Sequence, residues 1–206
     1  MEYFFAHPPL IASTDTMWCS EIASVYDYCE HGSGIDVGAG GRTLTPANER
    51  CDVVPTYSPD HLASAEALTF AADDTYDWLY SGHCIEHCQD TLATIREWLR
   101  VVKPGGHVCI VVPDVNHTRA QNTDPTPHRH EWAPREFLEN ILGWRQGTQT
   151  WYEARGFVPQ LPEAELISAH VACPNWSFHV VLRKREVVGD EKQQAVAGAG
   201  RGAAMG

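Results

Sequence analysis

The run GIDVGAGGR, residues 34–42, places glycines directly after a short apolar segment, 35–37, that reads as a strand. Glycine there lets the backbone turn sharply and lets a ligand come close to it. Asp36, at the end of that strand, is placed to orient the turn or to reach a cationic group on a ligand. A plain glycine-rich turn is the alternative. A dinucleotide loop needs a third glycine opening a helix, so that the helix N-terminus meets a pyrophosphate. Here that position is Thr43, and Pro46 follows. Only about a dozen residues separate Gly40 from the next strand, near the lower limit for a crossover containing a helix. A ligand without phosphate therefore fits better. Asp52 lies in or just after a second short strand, 51–54. In nucleoside-binding α/β folds an acid near this place accepts hydrogen bonds from ribose hydroxyls. A solvated turn aspartate is the alternative.

The second chemical concentration is HCIEHC, residues 83–88. His83 and His87 would share one face if a helix formed there. With Cys84, Glu86 and Cys88 beside them the segment invites a metal reading. No second cluster with finger-like spacing accompanies it, so no metal site is expected. The remaining readings are a loop packed beside a ligand pocket, or His83 or His87 touching a ligand. His117, His128 and His130 fall in a long polar stretch after Pro113. Loops of that length are often lids or substrate walls, and imidazoles there can serve as base or ligand near neutral pH. Scattered surface histidines are the plainer explanation.

The elements that must position these residues follow from apolar period. Residues 13–29 carry Trp18, Ile22, Val25, Tyr26 and Cys29 at helical spacing. Strands are expected at 35–37, 51–54, 76–80, 108–112 and 176–182, with a possible edge strand at 61–64. Asp90 is placed to cap a helix over 91–102, whose Leu92, Ile95, Leu99 and Val102 line one face, and Lys103-Pro104-Gly105-Gly106 ends it. A helix over 134–142 opens on Pro134, and 151–154 is a further helical piece. Strands alternating with helices indicate a largely parallel sheet, with ligands at the carboxyl ends of the strands.

The 206 residues suffice for one domain with a proper core. The formal net charge is −12, with Lys and Arg not gathered into runs, which argues against nucleic acid as a partner. A small substrate, a sugar or a protein remains open. Seven scattered cysteines with no C-x-x-C pair fit reduced thiols. No signal peptide and no membrane span are expected, hence a cytoplasmic protein. The domain is expected over 1–187, with a disordered Gly- and Ala-rich tail over 188–206.

In order along the chain stand GIDVGAGGR, RCDVVP, AEALTF, YDWLYSGHCIEH and IREWLRVVKPGGHVCIVVPD, spanning 34–114. Together they resemble the small class I S-adenosylmethionine-dependent methyltransferases. HRHEWAPREFLENIL, 128–142, resembles the segment after the fifth strand in some of them. The resemblance implies a Rossmann-like, mostly parallel twisted sheet of seven strands, the last antiparallel, here with shortened first crossovers. It implies S-adenosylmethionine as cofactor. Asp36, Gly38 and Gly40 would form the cofactor loop, and Asp52 would be the ribose acid. Ser64 or Glu66 would lie near the adenine, and Ser81 and Gly82 beside the methionine portion. Ser64 departs from the pattern, since many relatives have aspartate there. Methyl transfer asks mainly that nucleophile, methyl and sulfur be held in line, with a base where the acceptor is a hydroxyl or amine. Tyr80 and Phe70 are candidates to face the sulfonium, or are ordinary core. The expected function is methyl transfer to a small-molecule, sugar or lipid-linked acceptor. The alternative is a catalytically inactive methyltransferase-like binding or scaffold subunit.

Overall fold

The computed structural model describes residues 16–41, 44–45, 48–118, 128–144 and 156–186. Eight strands form one sheet: β1 Gly34–Val37, β2 Glu49–Asp52, β3 His61–Leu62, β4 Tyr76–Gly82, β5 Val102–Pro113, β6 Gly156–Phe157, β7 Ala164–Cys173 and β8 Ser177–Lys184. Their order is β3-β2-β1-β4-β5-β8-β7-β6. The pairs from β3 to β5 are parallel. β8 runs antiparallel to both β5 and β7, and β6 antiparallel to β7. The chain leaves β1 towards β2 and β3, then returns through β4 on the other side of β1. The carboxyl ends of β1 and β4 thus flank a switch point, where open α/β sheets bind ligands.

Side chains alternate across the sheet and build two apolar layers. On one face Ile35, Leu79, Val108 and Ile110 meet Ile95, Trp98 and Leu99 of helix α2, Thr91–Val101, together with Phe137 and Phe178. On the other face Trp78, Tyr80, Cys109 and Val111 meet Ile22 and Val25 of helix α1, Thr16–Val25. Asp90 caps α2 as expected, its Oδ1 accepting from the Ala93 amide at 2.9 Å. The buried Trp98 indole donates to Ala65 O at 2.8 Å, so its polar edge is satisfied.

Several boundaries differ from the sequence reading. α1 stops at Val25 and continues as a 3₁₀ turn, Tyr26–Tyr28. β2 spans 49–52 rather than 51–54, because the Asp52 carboxylate accepts from the Val54 amide and curls the chain out of the sheet before Pro55. A 3₁₀ turn, Pro55–Tyr57, then stands where a crossover helix would be, and β3 is only two residues long. β5 starts as soon as α2 ends, taking in Lys103 to Gly106 through a bulge opposite Tyr76–Trp78. The helix expected over 134–142 is one turn, α4 Pro134–Glu136, followed by a π turn, Phe137–Ile141. A short helix α3, Val115–Thr118, follows β5. Among the described residues the sheet has eight strands rather than seven: β6 and β7 were not foreseen. Register shifts at Leu166/Ser168 and Val171/Cys173 break β7's two-residue alternation, which hides it in the sequence. The helical piece at 151–154 and the tail at 188–206 lie outside the described residues.

Candidate functional site

The glycine loop is fixed from three sides. The Gly38 and Ala39 amides both donate to Cys51 O, at 2.9 and 3.2 Å. Gly38 and Gly40 have φ of +74° and +57°, the region that side chains disfavour. Asp52 then clamps the loop: Oδ2 accepts from the Gly40 amide and Oδ1 from the Val54 amide, each at 2.8 Å. Arg50 Nη2 donates to Gly40 O at 2.7 Å and to Tyr57 O at 3.0 Å. The two glycines do different work. A Cβ at Gly38 would lie 2.5 Å from Cβ and Sγ of Cys84, so Gly38 permits close packing on the segment after β4. Among the described residues a Cβ at Gly40 would meet nothing within 4 Å, so of the two Gly40 is the one that faces open space.

Asp36 sits buried at the carboxyl end of β1, and its Oδ1 has no hydrogen-bond partner among the described residues. Burial pushes its pKa up to about 8; Arg50 opposes this, Asp52 adds to it, and the Leu44 amide opposes it. A buried carboxyl with a spare oxygen is suited to a cationic or hydrogen-bond-donating ligand group.

The other expected cofactor residues are more committed to the fold. Ser81 is buried, and its hydroxyl donates to Val37 O at 2.8 Å, stitching β4 to β1. A Cβ at Gly82 would run into the Tyr80 hydroxyl. Ser64 and Glu66 are exposed. Ser64 Oγ accepts from the Glu66 amide at 3.2 Å. Glu66 Oε1 accepts from the Gln89 and Asp90 amides at 2.7 and 3.3 Å, tying this turn to the start of α2. Tyr80 lies in the apolar layer under α1, and Phe70 stacks on His61 with ring centres 3.8 Å apart. For both aromatics, packing is the role the contacts describe.

Past β4 the chain gathers histidines around two buried acids. His83 has φ of +53°, an uncommon value outside glycine. Its Nε2 lies 2.7 Å from Glu21 Oε1 on α1, an oxygen that also accepts from the Ser177 hydroxyl on β8. Glu86, in the 3₁₀ turn Ile85–His87, is 1% exposed. Its Oε1 lies 3.9 Å from His83 Nδ1, His87 Nε2 and His128 Nε2. The Glu86 carbonyl accepts from the Arg129 and His130 amides at 2.9 and 3.1 Å, which draws the distant loop in. His130 stacks on Trp132. The His117 side chain lies outside the described residues. His128, from the distant loop, lies beside Glu86 and His87.

Glu21, Arg50 and Ser177 were not foreseen. Glu21 is 62 positions from His83, and no local spacing signals such a pair. Arg50 reads in the sequence as an ordinary polar residue beside a strand. Among the described residues no helix is long and apolar enough to cross a membrane.

The residues present fit S-adenosylmethionine. The open face at Gly40, the spare Asp36 oxygen and a buried Asp52 with lone pairs beyond those its two amide bonds use lie together at the switch point.

Residues 21–110 match the family model described as "Methyltransferase domain". A Thermotoga maritima S-adenosylmethionine-dependent methyltransferase, a possible histamine N-methyltransferase, superposes with a TM-score of 0.56 at 14% identity, covering 82% of this chain and 89% of that one. Burkholderia thailandensis 1,6-didemethyltoxoflavin-N1-methyltransferase, solved with 1,6-didemethyltoxoflavin and S-adenosylhomocysteine, superposes with a TM-score of 0.56 at 11% identity, covering 84% and 79%. The N-methyltransferase NodS of Bradyrhizobium japonicum gives 0.53 at 15% identity, covering 84% and 99%. At these identities the likenesses establish the fold. The chain thus has the fold of the class I S-adenosylmethionine-dependent methyltransferases, and residues 21–110 match the model of a methyltransferase domain.

Proposed function

We propose that the protein transfers the methyl group of S-adenosylmethionine to a nucleophilic atom of a small-molecule acceptor, a class that includes glycan-type molecules. The observation that carries this is the clamped glycine loop, whose Gly40 opens on free space beside the unpartnered Asp36 oxygen. Asp36 and the 38–40 backbone would hold the methionine portion with Ser81 and Gly82, Asp52 the ribose, and Ser64 with Glu66 the adenine side. The cofactor supplies a methyl group made electrophilic by its bond to a positively charged sulfur.

The chain's own contribution is orientation and proton handling. Asp52 and Arg50 fix the loop before any ligand arrives, so little ordering remains on binding. His83 is the candidate to accept a proton from a hydroxyl or amine acceptor, with Glu21 fixing its ring. His87 is the other sequence candidate, and its contact with Glu86 turns it towards His128 instead. The net charge of −12 speaks against nucleic acid as acceptor. The intact loop clamp gives no support to an inactive scaffold.

The test is incubation with methyl-labelled cofactor and a metabolite extract, followed by an untargeted search for labelled products. A labelled small molecule that disappears with Gly40→Val supports the reading. Label transferred only to nucleic acid, or no label transferred from any extract, would overturn it.

A further inference from the structure

We propose that Glu86, His87 and His128 form a binding site for a divalent transition-metal ion of the zinc type, where the turn after β4 meets the segment that precedes α4. The site is independent of the methyl-transfer reading and stands or falls without it.

One ligand atom from each of the three residues lies within 4.8 Å of the other two. Glu86 Oε1 is 3.9 Å from Nε2 of His87 and 3.9 Å from Nε2 of His128. Around a tetrahedral ion with bonds of about 2.1 Å, ligand atoms sit about 3.4 Å apart. Closing the site on an ion therefore asks movements of about half an ångström for the two contacts to Glu86 and of up to about 1.4 Å between the imidazoles, which lie within 4.8 Å of one another. At 3.9 Å the imidazoles are too far to hydrogen bond to the carboxylate, yet all point at one buried acid.

That acid is the second observation. Glu86 is 1% exposed, and among the described residues neither of its carboxylate oxygens has a hydrogen-bond partner. Burying a carboxylate without a partner is costly, and buried charges are ordinarily paired or bound to metal. Burial raises the Glu86 pKa, with His83, its own backbone amide, His87 and His128 opposing. A shared cation would satisfy both oxygens.

The scaffold holds the ligands ready. The Glu86 carbonyl accepts from the Arg129 and His130 amides, so the segment bearing His128 is latched to the very residue that carries the carboxylate. Two imidazoles and one carboxylate form a three-ligand set that zinc uses with a fourth position left open. His83 Nδ1, also 3.9 Å from Glu86 Oε1, borders that position while Nε2 faces Glu21. The nearby thiols are turned elsewhere: Cys88 Sγ points to Cys84 O at 3.7 Å. The ion would thus have nitrogen and oxygen ligands only.

The experiment uses the full chain, stripped with chelator. Zinc is titrated by calorimetry, and cobalt(II), as a spectroscopic substitute, by visible absorption. The expected result is one equivalent of zinc, a raised melting temperature and a cobalt spectrum without a thiolate charge-transfer band. Loss of residues that merely support metal ligands lowers affinity about 10–100-fold. Glu86→Gln and His128→Ala should each weaken zinc at least that much, while His31→Ala, at an exposed histidine, should leave it unchanged. Absence of a saturable equivalent, a thiolate band, or wild-type affinity in His128→Ala would overturn the proposal. If Glu86→Gln fails to fold, His128→Ala, checked by circular dichroism, and the wild-type cobalt spectrum decide.

Discussion

Replacing Asp52 separates two roles that the structure superimposes on one carboxylate. Each oxygen accepts a backbone amide at 2.8 Å, one from the glycine loop and one from the turn after β2. Hydrogen bonds to a charged group contribute about 1.5–3 kcal/mol each. Asp52→Ala removes both, but Gly40 is only half-buried and Val54 is exposed, so water can replace part of the loss. A net destabilisation of about 1–3 kcal/mol follows, or roughly 2–12 °C in melting temperature for a chain of this size. The cofactor effect comes on top. Losing one charge-assisted contact to a ribose hydroxyl raises the dissociation constant roughly ten- to a hundredfold. Asp52→Asn keeps one acceptor oxygen and should restore part of the melting temperature while leaving binding weak. Calorimetric titration and thermal melting of wild type, Asp52→Ala, Asp52→Asn and Ser64→Ala distinguish the roles. Ser64 is exposed and bonds only its own turn, so its variant should melt like wild type. Asp52→Ala binding S-adenosylmethionine as wild type does would refute the ribose assignment. Unchanged melting would refute the clamp.

The other expectations concern the loop, its acid and the helix behind it. Gly38→Val should cost about 1–3 kcal/mol from φ alone, and more from its clash with Cys84, with cofactor binding lost. Gly40→Ala meets no neighbour among the described residues, so beyond about 1–2 kcal/mol for its φ of +57° it should keep the fold by circular dichroism while weakening the cofactor. Asp36 holds its proton to a pKa of about 8 against an ordinary 3.8, so its contribution to stability is fully present below about pH 4 and is lost as pH rises through about 8. Wild type should therefore lose more melting temperature than Asp36→Asn between about pH 5 and pH 8; equal slopes would contradict the burial argument. Asp90→Ala removes the α2 cap and should cost about 1 kcal/mol, read as a fall of about 2–4 °C, without affecting cofactor affinity.

What the sequence disclosed follows from which signals are local. β4 and the core of β5 are dense apolar runs, and α2 carries both an N-cap and a regular face, so their types and places were readable. β7 was not, because two bulges spoil its alternation and Ser168 and His170 lie within it. The glycine loop and Asp52 were readable as a pattern, but the pattern did not show that Asp52 holds Gly40 or that Gly38 packs on Cys84. The pairing of His83 with Glu21 and of Glu86 with His128 joins residues far apart in the chain. Such contacts exist only once the sheet has brought α1, β4 and the late loop to one end, so spacing carries no trace of them.

The loop after β1 is expected to bind S-adenosylmethionine rather than a dinucleotide. This is tested most directly by calorimetric titration of the full chain with S-adenosylmethionine, S-adenosylhomocysteine and NAD under one set of conditions. One saturable site is expected for the first two, abolished by Gly38→Val, with much weaker binding of NAD. Tighter binding of NAD, or binding of S-adenosylmethionine that survives Gly38→Val, would contradict it.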